Sequence, residues 1–160
     1  MANQFLLAPD VISGKEGWVT AVVNGNVEIC AYIKTLRATM AKTKVEVKTL
    51  GSRWTQHKAT GVNGTGAVTI YHITSFWSRL MSEYAKTGKD VYFTMTISND
   101  DPGSAATQFG QRPAKTTLGK CNIDAVDIAA LDVTTDTLES TFNFTFSEYE
   151  INDPFTPVTI

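Results

Sequence analysis

The chain has 160 residues, of which 42% are hydrophobic, 10% aromatic and 19% charged. A single domain of this length buries about 70% of its unfolded surface, so general disorder is excluded. Fourteen basic residues against sixteen acidic ones give a net charge of −2. That balance excludes a protein that holds nucleic acid by neutralising its backbone, which requires a basic face.

The N-terminal MANQFLLAPD has no basic leader and too short an apolar stretch for a signal peptide. No window approaches 18 apolar residues, so no membrane span or anchoring is expected, and synthesis is expected in the cytoplasm. Trp18–Val23 and Val27–Leu36 flank Asn24-Gly25-Asn26, and Asn-Gly supplies the positive φ angles of a tight hairpin turn. Ala38–Leu50 continues as a strand, with Lys42, Lys44, Glu46 and Lys48 on one face and Val45 and Val47 on the other. Residues 51–64 read as a polar, glycine-rich loop carrying Trp54, and Gly66–Ile73 as a further strand.

Ile73, Phe76, Trp77, Leu80, Met81 and Tyr84 recur with helical spacing. They predict a one-sided helix over Ser75–Thr87, with Thr74 or Ser75 as N-cap, Gly88 beyond its C-terminus and a sheet beneath its apolar face. Val91, Phe93, Met95 and Ile97 alternate with polar residues, as a half-buried strand does. Asn99–Lys115 reads as a loop, with Asn99-Asp100-Asp101 supplying turn chemistry. Leu118–Leu131 reads as a strand whose parity changes at a bulge near Ala125–Val126. Phe142, Phe144 and Phe146 mark the last regular strand, and the parity of Tyr149 and Ile151 places a break near Ser147–Glu148.

The pattern predicts an α+β, mainly β chain: two packed antiparallel sheets or a partly closed barrel, with one flanking α-helix. It reads as a single domain over residues 1–160 with a projecting arm at about 38–66.

Candidate chemistry is sparse. Gly61-Val62-Asn63-Gly64-Thr65-Gly66 lacks the Lys-Ser/Thr of a phosphate loop and precedes a strand, so it reads as a bent connection. His57 and His72 are the only histidines and lack further ligands at metal-binding spacing. Asp124, Asp127, Asp132 and Asp136 do not follow a calcium-loop spacing. Cys30 and Cys121 lie in apolar-alternating segments and are expected as buried, reduced thiols. No catalytic residue, cofactor site or metal site is assigned. Trp54 either folds back over the rim of the core or anchors an interface together with Arg53 and His57.

Three stretches carry a family resemblance. They are Ile12-Ser13-Gly14-Lys15-Glu16-Gly17, then Gly51 to Lys58 running into Thr60 to Gly66, and Ile128 to Val133 with Phe142 to Phe146 beyond. In this order and spacing the chain, from Val11 to Glu150, resembles the tail tube proteins of contractile phage tails of the PBSX type and of R-type tailocins. The resemblance implies a structural role in a virion or phage-like particle, not an enzyme. It implies two orthogonally packed sheets with a flanking helix, and hexameric rings stacked into a tube. The implied partners are a surrounding sheath, a tape-measure protein and then DNA in the lumen, and baseplate and tail terminator proteins.

If each of six subunits gave four strands, the inner barrel would have a backbone diameter of about 50 Å and a bore of roughly 40 Å. A conduit must not grip its cargo, so lumen-facing positions are expected to be acidic or uncharged, with the lysine face of Lys42, Lys44 and Lys48 elsewhere. Lys42, Lys44, Lys48, Arg53, Trp54 and His57 are expected to form an inter-ring interface. A type VI secretion inner-tube protein and a small β-sandwich ligand-binding module are the alternatives.

Overall fold

The computed structural model describes residues 6–104 and 114–155. After a 3-10 turn at Ala8–Asp10 come β1 (Gly17–Val23), β2 (Asn26–Ile29), β3 (Ile33–Val47) and β4 (Gln56–Tyr71). The helix α1 (Phe76–Thr87) follows, then β5 (Phe93–Asn99), β6 (Ala114–Ala125), β7 (Glu139–Phe146) and β8 (Glu148–Asp153). The strands form one antiparallel sheet in the order β2-β1-β5-β6-β7-β4-β3, with β8 also paired to β6.

The expected pair of separate sheets, or partly closed barrel, is therefore replaced by one open sheet of eight strands folded over on itself. The reason lies in β6, which is long enough to belong to both halves. One of its sides pairs with β5 from Ala114 to Cys121. The other pairs with β8 over Lys115–Gly119 and with β7 over Asn122–Ala125. Between these ladders Lys120 has φ of 52°, a left-handed kink in mid-strand. The β7–β8 break follows the same bend: Ser147 joins no ladder, but its N–H donates to the Gly119 carbonyl at 3.3 Å. The break expected near Ser147–Glu148 thus turns the sheet's corner.

Folding the sheet brings its inner faces together. Ala21, Phe93 and Met95 from one half join Val68, Phe142 and Phe144 from the other in one buried cluster. Trp77 of α1, 1% exposed, bridges the halves. Its ring lies 5.3 Å from Phe93 and 4.8 Å from Phe142, and its indole N–H donates to the Tyr32 hydroxyl at 3.1 Å. Burying an aromatic ring with its polar atom satisfied makes such a residue a strong organiser of a core. The helix starts and stops as its sequence requires. Thr74 Oγ1 accepts from the Phe76 N–H, and Gly88 takes the left-handed position with its N–H on the Tyr84 carbonyl. The predicted cap at Ser75 makes no side-chain bond.

Three further expectations change. Val27–Leu36 is not one strand, because a turn at Cys30–Tyr32, with the Ile33 N–H on the Cys30 carbonyl, separates β2 from β3. The strand expected over Leu118–Leu131 ends at Ala125, with its irregularity between Ile123 and Ala125, and residues 126–138 form an irregular connection. Residues 51–64 are not a loop: from Gln56 onward they are β4, and only residues 48–55 turn. The Asn24-Gly25 turn stands as expected, with φ of 50° and 80°. In the segment expected as a loop over Asn99–Lys115, Asn99 belongs to β5 and Ala114 and Lys115 to β6, and residues 105–113 lie outside those described.

Candidate functional site

The glycines of β4 explain how its hairpin is seated. Gly64 pairs with Phe146 and Gly66 with Phe144. A Cβ on Gly64 would sit 2.6 Å from the Phe146 carbonyl oxygen, and one on Gly66 would enter the Phe144 ring. Both residues are therefore hollows that receive phenylalanine rings, not a bent connection. Beyond Gly64, β4 leaves β7, and residues 56–63 pair with β3 alone among the described strands.

The six residues expected at an interface lie in this distal half. Lys42 pairs with Val62, Lys44 with Ala59 and Glu46 with His57. Between Thr43 and Lys44 the register shifts: Thr60 is the extra residue of a bulge, and its hydroxyl donates to the Thr43 carbonyl. Lys48, Arg53 and Trp54 occupy the turn. His57 is therefore a strand residue, not a loop residue. Trp54 is 84% exposed and does not cover the core rim. From Lys42 to Lys58 five basic residues stand against one acidic residue, a net of +4 on a chain of net −2.

The opposite end of the hairpin has the opposite character. At its base Tyr71 pairs with Glu139, and Glu139 also receives the Lys34 ammonium at 2.7 Å. The connection that leads into Glu139 exposes Leu131 and Val133 completely and Ile128 by two thirds. A shallow groove runs along it, walled by Ala129, Ala130, Leu131 and Leu138 with Asp132 and Glu139 at the rim. Residues 124–139 hold five acidic residues and no basic one. Asp132 accepts from both the N–H and the hydroxyl of Thr134, which holds its carboxyl below the usual carboxylate range. Sequence reasoning missed this surface by extending a strand through it, although five acidic residues with no basic one between them were a visible signal.

A second apolar surface also escaped the sequence. Tyr149 and Ile151 on β8 are half exposed and face Leu36 and Met40 of β3 across a groove at the open end of the folded sheet. Several polar groups elsewhere are committed to structure. Asp101 accepts from the N–H groups of Gly103 and Ser13, tying the turn after β5 to the N-terminal segment. Asp127 accepts from the Ser140 hydroxyl. Cys30 and Cys121 are unbridged and buried. Burial pushes their thiols up to about 11 and about 12. The described residues thus show open strand borders, a basic hairpin end and two surface grooves.

Comparison with known proteins agrees. The family described as phage tail tube protein matches residues 4–153. The chain is 42% identical to the phage-like element PBSX protein XkdM of Bacillus subtilis strain 168 over 146 residues, which covers 91% of this chain and 93% of that one. It is 41% identical, with the same coverage, to the uncharacterized protein YqbM of that strain. Among solved structures the fold resembles a chain of the anti-feeding prophage baseplate, with a TM-score of 0.65, 14% identity and coverage of 92% and 98%. It also resembles chains of the extended sheath-tube complex of an extracellular contractile injection system (TM-score 0.64, 7% identity, 89% and 92% covered) and of the SPP1 tail tube (0.62, 10%, 91% and 81%). An open folded sheet with a seated hairpin, matched over nearly its whole length by sequence, belongs to the phage tail tube protein family, whose members are structural subunits of the tail tube.

Proposed function

We propose that this subunit builds the inner tube of a contractile phage tail or phage-like particle, with six copies closing into each ring and rings stacking through the β3–β4 arm. The observation that carries this reading is the open sheet. β2 and β3 end it on either side, and β8 adds a third unpaired border among the described residues. Unpaired borders, above all the 15 residues of β3, invite a neighbour's strand. In a closed ring each copy supplies one border and receives another, so the inner strands become a continuous barrel. The injection-system chains that share the fold come from assemblies with a sheath and a baseplate. A surrounding sheath, a baseplate below and a terminator above are accordingly the partners of this tube, with a tape-measure protein and then DNA inside. Lys42, Lys44, Lys48, Arg53, Trp54 and His57 form the arm's contact with the adjacent ring.

Negative-stain microscopy of the concentrated purified chain tests the reading. Hollow rods of uniform bore are expected. A protein that stays monomeric at millimolar concentration, also when seeded with preformed tube ends, would overturn it.

A further inference from the structure

We infer that the tip of the β3–β4 hairpin of one copy seats in the groove of residues 129–139 of a second copy, so that one chain carries prong and socket at the two ends of the same pair of strands. The inference rests on the stacking role proposed for the arm and names its receptor.

Position is the first argument. β3 spans 15 residues, Ile33 to Val47, and the groove lies beside its Ile33 end, where Lys34 meets Glu139. The tip lies beyond its Val47 end. At about 3.3 Å per residue the two ends are roughly 46 Å apart. A chain cannot therefore fill its own groove. Two different patches that face opposite ways along one axis make a head-to-tail contact, and that contact repeats without limit.

Chemistry is the second argument. The tip presents Trp54 and Leu50, both almost fully exposed, flanked by Lys48 and Arg53. The groove presents Ala129, Ala130, Leu131 and Leu138 beside Thr135 and Thr137, with the carboxylates of Asp132 and Glu139. An exposed tryptophan beside an arginine is the kind of anchor that dominates interfaces, and small alanine side chains leave it room. The net of +4 from Lys42 to Lys58 meets the five acidic residues of 124–139, of which Glu139 is already paired with Lys34, and such complementarity fixes register and excludes wrong partners. The same complementarity argues against a nucleic-acid occupant for the groove, whose rim would repel phosphate.

Charge exchange and cross-linking in the full chain test this. Lys48→Glu with Arg53→Glu is expected to raise the concentration needed for tube formation roughly tenfold or more, because like charges then face across the contact. Asp132→Lys with Asp136→Lys is expected to do the same, and a chain carrying all four changes to recover assembly. Thr55→Cys with Ala129→Cys, treated with a short bis-maleimide, is expected to give ladders of covalent oligomers from assembled tubes and monomer only from dilute protein. If the tip reversal leaves assembly unchanged, the arm has no stacking role and both readings fall. If it blocks assembly, but the Asp132/Asp136 reversal does not and the paired cysteines give no ladder, the stacking role stands and this receptor is wrong. A groove reversal that blocks assembly without rescue by the tip reversal likewise excludes direct contact.

Discussion

At Gly66 a single hydrogen decides how two strands meet. Its missing side chain lets the Phe144 ring lie on the backbone of β4. Gly66→Ala therefore overfills a closed site, and a loss of about 1–3 kcal/mol is expected, read as a fall in the midpoint of chemical denaturation. The buried thiols give a second expectation. Cys30 and Cys121 stay protonated in the folded chain up to about pH 11 and about pH 12, against a usual value of 9.0. Between pH 9 and about 12 the folded state therefore holds protons that the unfolded state has released. Stability from these groups is complete below pH 9 and falls as pH rises through that window. Equilibrium unfolding at pH 8 and pH 10.5 checks the sign, and replacing both cysteines by alanine should flatten the difference. These thiols were legible in the sequence, because Cys121 falls on the same parity as Ile123 in an alternating strand and Cys30 closes the apolar-alternating segment after the Asn24-Gly25 turn. The glycines were not. Gly61, Gly64 and Gly66 offered the pattern of a loop, and only the facing phenylalanines, some eighty residues away, show that two of them are hollows in a strand.

At the scale of elements, local periodicity was most reliable where one face is buried along the whole element. The helix from Phe76 to Thr87 and the phenylalanine strand β7 stand within a residue or so of expectation, because burial of one side forces the repeat. The distal hairpin defeated that logic. From Lys42 to Val62 every residue but Val47 is exposed, so no apolar alternation marks the second strand, and polar and glycine residues read as a loop. Its ladder is held by backbone bonds and the Thr60 bulge instead. The same exposure yields a prediction. Joining Lys42 to Val62 through Asn-Gly removes almost no buried surface, so the stability of the monomer should change by less than about 1 kcal/mol. Tube formation should be lost. Thermal melts paired with sedimentation separate the two effects.

For the whole molecule, periodicity and the family resemblance both led to a mainly β fold with one helix, but neither showed that one strand serves both halves. That outcome depends on Lys120, a residue of no distinctive pattern that turns β6 through a left-handed kink. Assembly through a basic prong and an acidic groove should weaken with salt, since exposed charges are screened within about 8 Å at physiological ionic strength. Tubes are therefore expected to require more protein at 1 M sodium chloride than at 0.1 M, measured by pelleting. Strand borders joined by backbone bonds are much less sensitive, so rings should outlast stacks under these conditions. In a reconstruction of the tube, Lys42, Lys44 and Lys48 are expected away from the bore, and finding all three inside would refute that placement.

The hairpin's length has a consequence for evolution and engineering alike. Its strands act as a ruler whose graduations are residues. Adding one residue to each strand turns every side chain beyond the insertion to the opposite face, so Lys42, Lys44 and the tip would point the wrong way. Adding two restores the faces and lengthens the span by about 6.6 Å. Changes in axial repeat between relatives of this chain should accordingly come in even steps, matched across β3 and β4.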